Sequence, residues 1–347
     1  FNKNIIDRIT KLEPYNELQI LNTRIWALPP SGDNSLNALI DSSLLIATSE
    51  GLILFCNDDL PCDQHAEFVN GIDSNQFLAL LPFSGGSGYP SSYENIQNEA
   101  CLAIASNIRD NYAAHAIKFL NKTNFKYFMP VAGNHIIVSK SYSWHEKTSF
   151  LLNPYTAIRK AKQETSNQEA LYSYPCEDLD FVRKIVDNDN IDELENIFEF
   201  EKRLFIESVS SRILPTYLSE GQTIDVEVIE NRLRSYGKKI KHELKELAAK
   251  NSDLNEAIIY VTIGNNLLRV DHQSWALETE TEHNSFDYVK SIINDNSLAI
   301  DIDVRFFPYL GDKSIHVNEA DAAGLLKYWR TMPYYPNIYA MLFEIIH

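Results

Sequence analysis

Short apolar runs bounded by turn residues recur through the first part of this chain, and they constrain its fold more than any other feature. The run SSLLIATSEGLILFC, residues 42–56, surrounds Glu50-Gly51 with apolar stretches, which predicts a β-hairpin turning at that pair. Residues 17–29 predict two more short strands, and NQFLALLPF, residues 75–83, predicts another buried strand. Strands spaced this closely predict a sheet.

Helical periodicity follows the last of these runs. Within residues 95–121 apolar side chains recur at three- and four-residue steps, which predicts a regular helix (Ile104, Ile108, Tyr112, Ala116 and Phe119). FKYFMPVAG and HIIVS then predict two further strands, and residues 5–12 predict an initial helix. Hairpins followed by a strand–helix–strand unit predict an α/β fold in which helices cover a layered sheet.

Length and polarity indicate two domains. A chain of 347 residues would hold two domains at roughly 150 residues each. Polarity rises between residues 156 and 200, as it does in linkers. We therefore expect a first domain over residues 1–160, an acidic helical connection over 161–200, and an α+β domain over 201–347.

Two segments of the expected second domain have patterns that predict secondary structure. AIIYVTIGNNLLRVD, residues 257–271, predicts two strands joined by a turn at Gly264-Asn265-Asn266. The C-terminal segment, NEADAAGLLKYWRTMPYYPNIYAMLFEIIH, predicts a helix, an aromatic proline-rich turn and a final helix.

Charge and composition exclude several classes of protein. The formal net charge of −17 argues against a phosphate-backbone footprint, so nucleic acid is not an expected partner. Four irregularly spaced cysteines do not form a disulfide framework, which favours a reducing compartment. No apolar run reaches the ~18 residues of a membrane span. We find no signal peptide and expect a cytoplasmic protein. The chain begins with Phe1 rather than methionine, so we expect it to be a fragment.

The strand at residues 75–83 breaks into a glycine-rich stretch, Ser84-Gly85-Gly86-Ser87-Gly88-Tyr89-Pro90. Glycine loops after a strand let the backbone approach a ligand or phosphate closely. No Gly-Lys-Ser/Thr follows and Pro90 blocks a smooth helix start, which excludes a P-loop. The spacing also differs from a dinucleotide fingerprint. On these residues alone, a plain turn and a ligand-contacting loop both stay open.

The segment CNDDLPCDQH, residues 56–65, gathers side chains of metal-ligand type: Cys56, Asp58, Asp59, Cys62, Asp63 and His65. The cysteine spacing is not that of a zinc knuckle, which argues against a zinc ribbon. A single Asp at the end of a buried strand is the better candidate, because a carboxylate there can reach a metal at the sheet edge.

In sequence order, these segments resemble the metallo-β-lactamase-fold domain of the CMP-N-acetylneuraminate hydroxylase family. The matching segments are NALIDSSLLIAT with GLILFCNDD, then LLPFSGGSGYP, a helix, and YFMPVAGNH, within about residues 1–150. The resemblance implies a metallo-β-lactamase-like layered domain. It also makes the glycine stretch an active-site wall, with substrate-loop residues Gly85, Gly86, Ser87, Gly88 and Tyr89.

The resemblance further implies a divalent metal, zinc or iron, with Asp58 as the one clear ligand and Asp41 as a partner behind it. A histidine ligand of the family falls on Asn37, and Asn binds zinc poorly compared with imidazole. His135 lies near a strand end where a last ligand could sit, but we expect a structural histidine there. The family's His-x-His-x-Asp-His signature is missing, so we expect the domain to be incomplete at its N-terminus, with the signature either upstream of Phe1 or lost.

The hydroxylase relatives oxidise their substrate with a Rieske iron–sulfur centre, which requires paired Cys-x-His motifs. The sequence contains no such motif, so we expect no Rieske cluster in this chain. If the histidine signature lies upstream of Phe1, the resemblance implies a metal-dependent, hydrolase-like enzyme acting on a small anionic substrate that is sugar- or nucleotide-like.

Two functions of other classes stay open. A degenerate, non-catalytic member of the family would use the cleft of the former active site to bind a ligand or a partner protein. Asn37 in place of a histidine ligand and the missing signature favour this alternative. Alternatively, the C-terminal aromatics would contact a lipid or a partner, although such residues more often form core (Trp329, Tyr334, Tyr335 and Tyr339). A homo-oligomer is also a candidate state.

Overall fold

The computed structural model describes residues 12–30, 42–83, 93–96, 98–131, 153–165, 168–172, 185–210, 231, 258–264, 266–271, 275–278, 285–294, 297–303 and 326–330. They form a mixed α/β protein with one eight-stranded sheet, one five-stranded sheet and several helices. The chain divides into two compact units. The first contains the described residues within 1–86, 106–134 and 151–200, and the second contains those within 87–105, 135–150 and 201–347. Each unit holds one sheet.

The sheet of the first unit contains eight strands that lie side by side in their order along the chain. They are β1 (Glu17–Ile20), β2 (Thr23–Leu28), β3 (Ser43–Ala47), β4 (Leu52–Phe55), β5 (Gln76–Pro82), β6 (Tyr127–Val131), β7 (Glu169–Leu171) and β8 (Ile185–Val186). Strands β1 to β4 are antiparallel, β4 to β7 are parallel, and β8 is antiparallel to β7.

This sheet confirms the strands predicted in residues 17–29, 42–56 and 75–83 and in FKYFMPV. The helix predicted for residues 5–12 and the strand predicted for HIIVS lie outside the described residues. The core of the unit includes Trp26, Leu45, Leu54 and Phe128, which come from four different strands.

The predicted turn between β3 and β4 is present and depends on glycine. Thr48 and Gly51 exchange backbone hydrogen bonds at 3.0 and 3.3 Å. Gly51 has a φ of +135°, and a Cβ there would lie 2.4 Å from the carbonyl oxygen of Asn75. Both the backbone conformation and the available space therefore require glycine at this position.

Four helices follow strands of this sheet along the chain: α1 (Asp63–Asn70), α2 (Asn98–Lys122), α3 (Pro154–Glu164) and α4 (Ile191–Ser210). Helix α2 confirms the helix predicted for residues 95–121, and its buried face contributes to the core of the first unit (Ala113, Ala116, Ile117 and Leu120). None of the helices in the described part of the chain is long and apolar enough to cross a membrane.

Residues 161–200, expected as an acidic connection, contain the end of α3, strands β7 and β8, and the beginning of α4. Ala161, Ala170, Val186 and Ile191 are buried in the core of the first unit. The described residues of this segment therefore belong to the first unit.

The sheet of the second unit has the strand order β11–β10–β9–β12–β13. Its elements are β9 (Ile258–Ile263), β10 (Asn266–Asp271), β11 (Trp275–Glu278), α5 (Phe286–Ile292), β12 (Ser297–Ile302) and β13 (Leu326–Trp329). Strands β9 and β12 are parallel, and the other pairs are antiparallel. The predicted hairpin of β9 and β10 is confirmed, with Gly264 at a φ of +59°.

Strand β13 is absent from the sequence prediction, which gave the C-terminal segment only helices and an aromatic turn containing Trp329. Leu326 and Tyr328 are fully buried while Lys327 and Trp329 are only partly buried, as in a strand with one covered face. The backbone pairs with β12, a long-range interaction that local periodicity does not reveal. Tyr334, Tyr335 and Tyr339 lie outside the described residues.

Candidate functional site at the carboxyl edge of the first sheet

Three adjacent parallel strands end at one edge of the first sheet, which we call the carboxyl edge. Phe55 at the end of β4 pairs with Leu80 of β5, and Pro82 at the end of β5 pairs with Val131 at the end of β6. Strand β3 begins at the same edge, because its Leu44 pairs with Phe55. Four chain segments therefore meet the sheet here.

Asp58 is the predicted site residue that falls within the described part of the chain. It is exposed in the turn that follows β4 at the carboxyl edge. The other predicted site residues lie outside the described residues: Asn37, Asp41, Gly85, Gly86, Ser87, Gly88, Tyr89 and His135. In sequence, Asp41 lies just before β3, Gly85 just after β5 and His135 just after β6.

The buried acid at this edge is Asp59, which the sequence did not distinguish from its neighbour. It is only 5% exposed. Its Oδ2 accepts a 2.6 Å hydrogen bond from the hydroxyl of Ser43, which joins the start of β3 to the turn after β4. Asn57 has a positive φ of 50°, which redirects the chain just before the two acids. An adjacent acidic pair gives no sequence signal for which member faces inward.

His65 places a buried imidazole beside this carboxylate. Its Nε2 lies 2.7 Å from the carbonyl oxygen of Pro29. A carbonyl oxygen only accepts hydrogen bonds, so Nε2 carries the proton and the neutral ring keeps its lone pair on Nδ1. Nδ1 lies 4.0 Å from Oδ2 of Asp59, and no hydrogen bond of normal geometry reaches it from the described residues.

Cys62 is the N-cap residue of α1, three positions before His65. Its backbone is extended, and its side chain makes no capping hydrogen bond. The thiol is partly exposed and free of any disulfide. The N-terminus of a helix carries a partial positive charge and unpaired N–H groups, which favour a thiolate over a thiol.

Burial and polar contacts shift the pKa values of this pair in opposite directions. Partial burial acts to raise the pKa of Cys62, but contacts with the His65 side chain and with the N–H groups of His65 and Gln64 lower it overall. Burial acts to lower the pKa of His65, but contacts with Cys62, the Pro29 carbonyl and Asp59 raise it overall. Both shifts favour a thiolate beside an imidazolium.

Two further side chains complete this group. Burial raises the pKa of Cys56 to about 12, so this thiol stays protonated at neutral pH. Burial, with smaller effects of Cys62 and Asp59, also raises the pKa of Tyr15, whose φ is +61°. We refer to the six residues together as the Cys62 cluster: Tyr15, Ser43, Cys56, Asp59, Cys62 and His65.

The described residues do not by themselves form a metal site. Nowhere in the described ranges do three or more His, Cys, Asp or Glu side chains meet in an arrangement that could hold a metal ion. In the Cys62 cluster, Nε2 of His65 is engaged by Pro29 and Oδ2 of Asp59 by Ser43. A metal at the carboxyl edge would therefore need ligands from segments outside the described residues.

Comparison with known proteins identifies no family for this chain. No protein-family model and no curated protein match the sequence. A solved structure of a CmlA beta-hydroxylase mutant aligns with a TM-score of 0.29 and 12% identity, covering 50% of this chain and 35% of that one. The likeness thus spans about a third of that protein, and a TM-score this low supports no conclusion about function.

Proposed function

We propose that the carboxyl edge is the active site of a metal-dependent, hydrolase-like enzyme of the metallo-β-lactamase type. One observation supports this most: β4, β5 and β6 are parallel, adjacent and end together. Ligands of open α/β sheets bind in the crevice outside the carboxyl ends of the strands. In sequence, the segments that the family resemblance assigns to the site adjoin β3, β5 and β6 on the side of this edge.

Asp58 is the residue that we assign to the metal, zinc or iron. Its carboxylate is exposed at the carboxyl edge, where a bound ion could reach it, and carboxylates are common ligands of both metals. The remaining ligands would come from outside the described residues, with His135 as a candidate, Asn37 as a weak one, and Asp41 as a partner behind the ligands. Because the described residues supply only this carboxylate, we assign no catalytic step to a metal.

The proposed substrate is a small anion, sugar- or nucleotide-like. The stretch Gly85 to Tyr89, which follows β5, would form the wall of its pocket, since glycine leaves backbone N–H groups open to an anion. A pocket of this kind is needed because the net charge of −17 would otherwise repel an anionic substrate. The alternative is a non-catalytic protein that binds a ligand, a partner protein or a second copy at the same edge.

A metal-dependence experiment tests the proposal. The chain is dialysed against zinc or ferrous ion, its metal content is measured, and hydrolysis of a p-nitrophenyl phosphodiester is followed with and without metal. In a protein that carries the histidine signature upstream of Phe1, we expect bound metal and metal-dependent turnover, and we expect Asp58→Ala to lower kcat/KM by about 100-fold or more. The thermal midpoint should change little, because Asp58 is exposed.

Asp73→Ala is the matched control. Asp73 is also an exposed turn aspartate, but it precedes β5 and so lies at the opposite edge of the sheet. Its removal should leave metal content and turnover unchanged. Equal metal content and turnover in wild type, Asp58→Ala and Asp73→Ala would contradict the assignment of Asp58 and favour the non-catalytic alternative.

A further inference from the structure

We propose that Cys62 is a reactive thiol that undergoes exchange with small disulfides, and that His65 is the side chain that positions and activates it. This site is separate from the proposed metal chemistry of Asp58. It uses a partly exposed nucleophile at a helix N-terminus and a buried base beside it.

The position of Cys62 favours a nucleophilic sulfur. As the N-cap of the eight-residue helix α1, it lies next to the first backbone N–H groups of the helix. These groups have no carbonyl partner within the helix, and their partial positive charge stabilises a thiolate. Partial exposure then lets a small molecule in solution reach the sulfur.

The buried imidazole of His65 is a second observation that favours a reactive thiol, and it does not depend on the position of Cys62. Its side chain is only 1% exposed, yet Nδ1 has no hydrogen-bond partner among the described residues. The carbonyl of Pro29 holds Nε2–H, which leaves the Nδ1 lone pair on the side of the ring where Oδ2 of Asp59 lies 4.0 Å away. Cys62 is the N-cap of the same helix, and side chains three positions apart are neighbours on a helix surface. A nucleophile, an adjacent base and a third group that orients the base form the usual arrangement for activating a thiol.

The charged surroundings are consistent with a thiolate–imidazolium pair. Asp59 favours the imidazolium, while the buried Cys56 and the partly buried Tyr15 remain neutral at pH 7 because both pKa values are raised. On the same helix, Asp63 forms ion pairs with Lys118 and Lys122 at 3.0 and 2.8 Å, which offset its negative charge. These residues are the titratable and charged groups near Cys62 and His65 in the described part of the chain.

The exchange step balances without any other reagent. His65 Nδ1 takes the thiol proton, and the Cys62 sulfur attacks one sulfur of a small disulfide, RSSR. A bond forms between Cys62 and that sulfur as the original S–S bond breaks, and the leaving thiolate takes up the proton to give RSH. Cys62 is oxidised to a mixed disulfide, and the departing sulfur is reduced.

The size of the expected effect follows from ionisation. An ordinary thiol with a pKa near 8.5 is only about 3% thiolate at pH 7, so full ionisation would raise the reactive fraction about 30-fold. A thiolate of lower pKa is also a weaker nucleophile, which cancels part of this gain. We therefore expect native Cys62 to react roughly 5- to 10-fold faster than an unperturbed cysteine at pH 7.

The test uses oxidised glutathione and the intact chain at pH 7. Intact mass and peptide mapping should show one glutathione adduct on Cys62 and none on the buried Cys56 and Cys101. The reference rate is that of Cys62 in the same chain unfolded in guanidinium chloride, where helix and imidazole no longer act. Reaction no faster than in the unfolded chain, or selective reaction at another cysteine, would overturn the proposal.

Variants then test the role of His65. His65→Gln should slow the reaction at pH 7 and move the midpoint of the pH–rate profile upwards, towards that of an ordinary thiol. Glu67→Gln, an exposed change on the same helix, should leave rate and midpoint unchanged. An unchanged midpoint in folded His65→Gln would refute the role of His65. Circular dichroism checks folding, and if His65→Gln does not fold, the wild-type profile decides: a midpoint at or above pH 8.5 would overturn the proposal.

Discussion

The described glycines differ in what a side chain would meet at each position. Gly51 combines a φ of +135° with a carbonyl oxygen 2.4 Å from the site of a Cβ. Gly264 has a φ of +59° but open space around it, and Gly71 has an ordinary negative φ and a nearest neighbour at 3.4 Å. The three positions separate backbone strain from steric conflict.

Alanine at these three positions should therefore lower the free energy of unfolding by graded amounts. We expect about 1 kcal/mol for Gly264→Ala, which adds only left-handed strain, and close to zero for Gly71→Ala. Gly51→Ala adds a clash with Asn75 to the strain, so we expect about 3 kcal/mol. Urea denaturation measures all three, and a loss for Gly51→Ala no larger than for Gly264→Ala would show that the hairpin relaxes around the new methyl group.

At the candidate site, the sequence located the segment but not the side chains that meet there. Residue types and their place after a strand drew attention to residues 56–65. The contacts depend on Pro29 and Ser43, which are distant in sequence, and on the positive φ of Asn57. Tertiary contacts of this kind leave no periodic signal, so the burial of Asp59 and His65 could not be predicted.

Among the elements, α3 and α4 are joined by a polar network centred on one capping residue. The side chain of Asn153 accepts a 2.8 Å hydrogen bond from the N–H of Tyr155 and so caps α3. Its amide nitrogen also donates to Glu195 and Glu199 of α4, at 3.1 and 2.8 Å. Arg159 of α3 adds an ion pair with Glu195. One buried side chain thus starts one helix and fixes another against it.

Two substitutions at Asn153 should separate these roles. Asn153→Ala removes the cap and the bonds to α4, and we expect it to lower the free energy of unfolding by about 2 kcal/mol. Asn153→Ser retains a capping oxygen, so we expect a loss of about 1 kcal/mol from the bonds to α4 alone. Urea denaturation distinguishes them. A serine variant as stable as wild type would show that the bonds to Glu195 and Glu199 contribute nothing.

The elements that the sequence predicted well are those with a strong local pattern. The hairpin of β3 and β4, strand β5 and helix α2 each show apolar spacing or turn residues over many positions. Strands β7 and β8 contain only three and two residues, too few to show alternation. Strand β13 was not predicted, because its pairing with β12 is a long-range interaction that leaves no local pattern.

At the scale of the whole molecule, the two sheets differ in whether the order of strands across the sheet follows their order along the chain. In the first sheet each strand from β2 to β8 pairs with the strand before it along the chain. In the second sheet, β9 lies between β10 and β12. Its parallel pairing with β12 can form only after β10, β11 and α5 have been synthesised. The sequence predicted strands in both units but not this difference, because strand order depends on long-range pairing.

The order of the first sheet has a consequence for how the protein is made. Each new strand finds its partner already synthesised when it leaves the ribosome, so no pairing has to wait for a later strand. We therefore expect the first sheet to assemble progressively during translation, before the second sheet is complete. A fragment ending at Phe200 should accordingly show slow amide hydrogen exchange in β3 to β6, and rapid exchange there would contradict this order of assembly. For this chain, the direction of synthesis and the direction of sheet growth coincide.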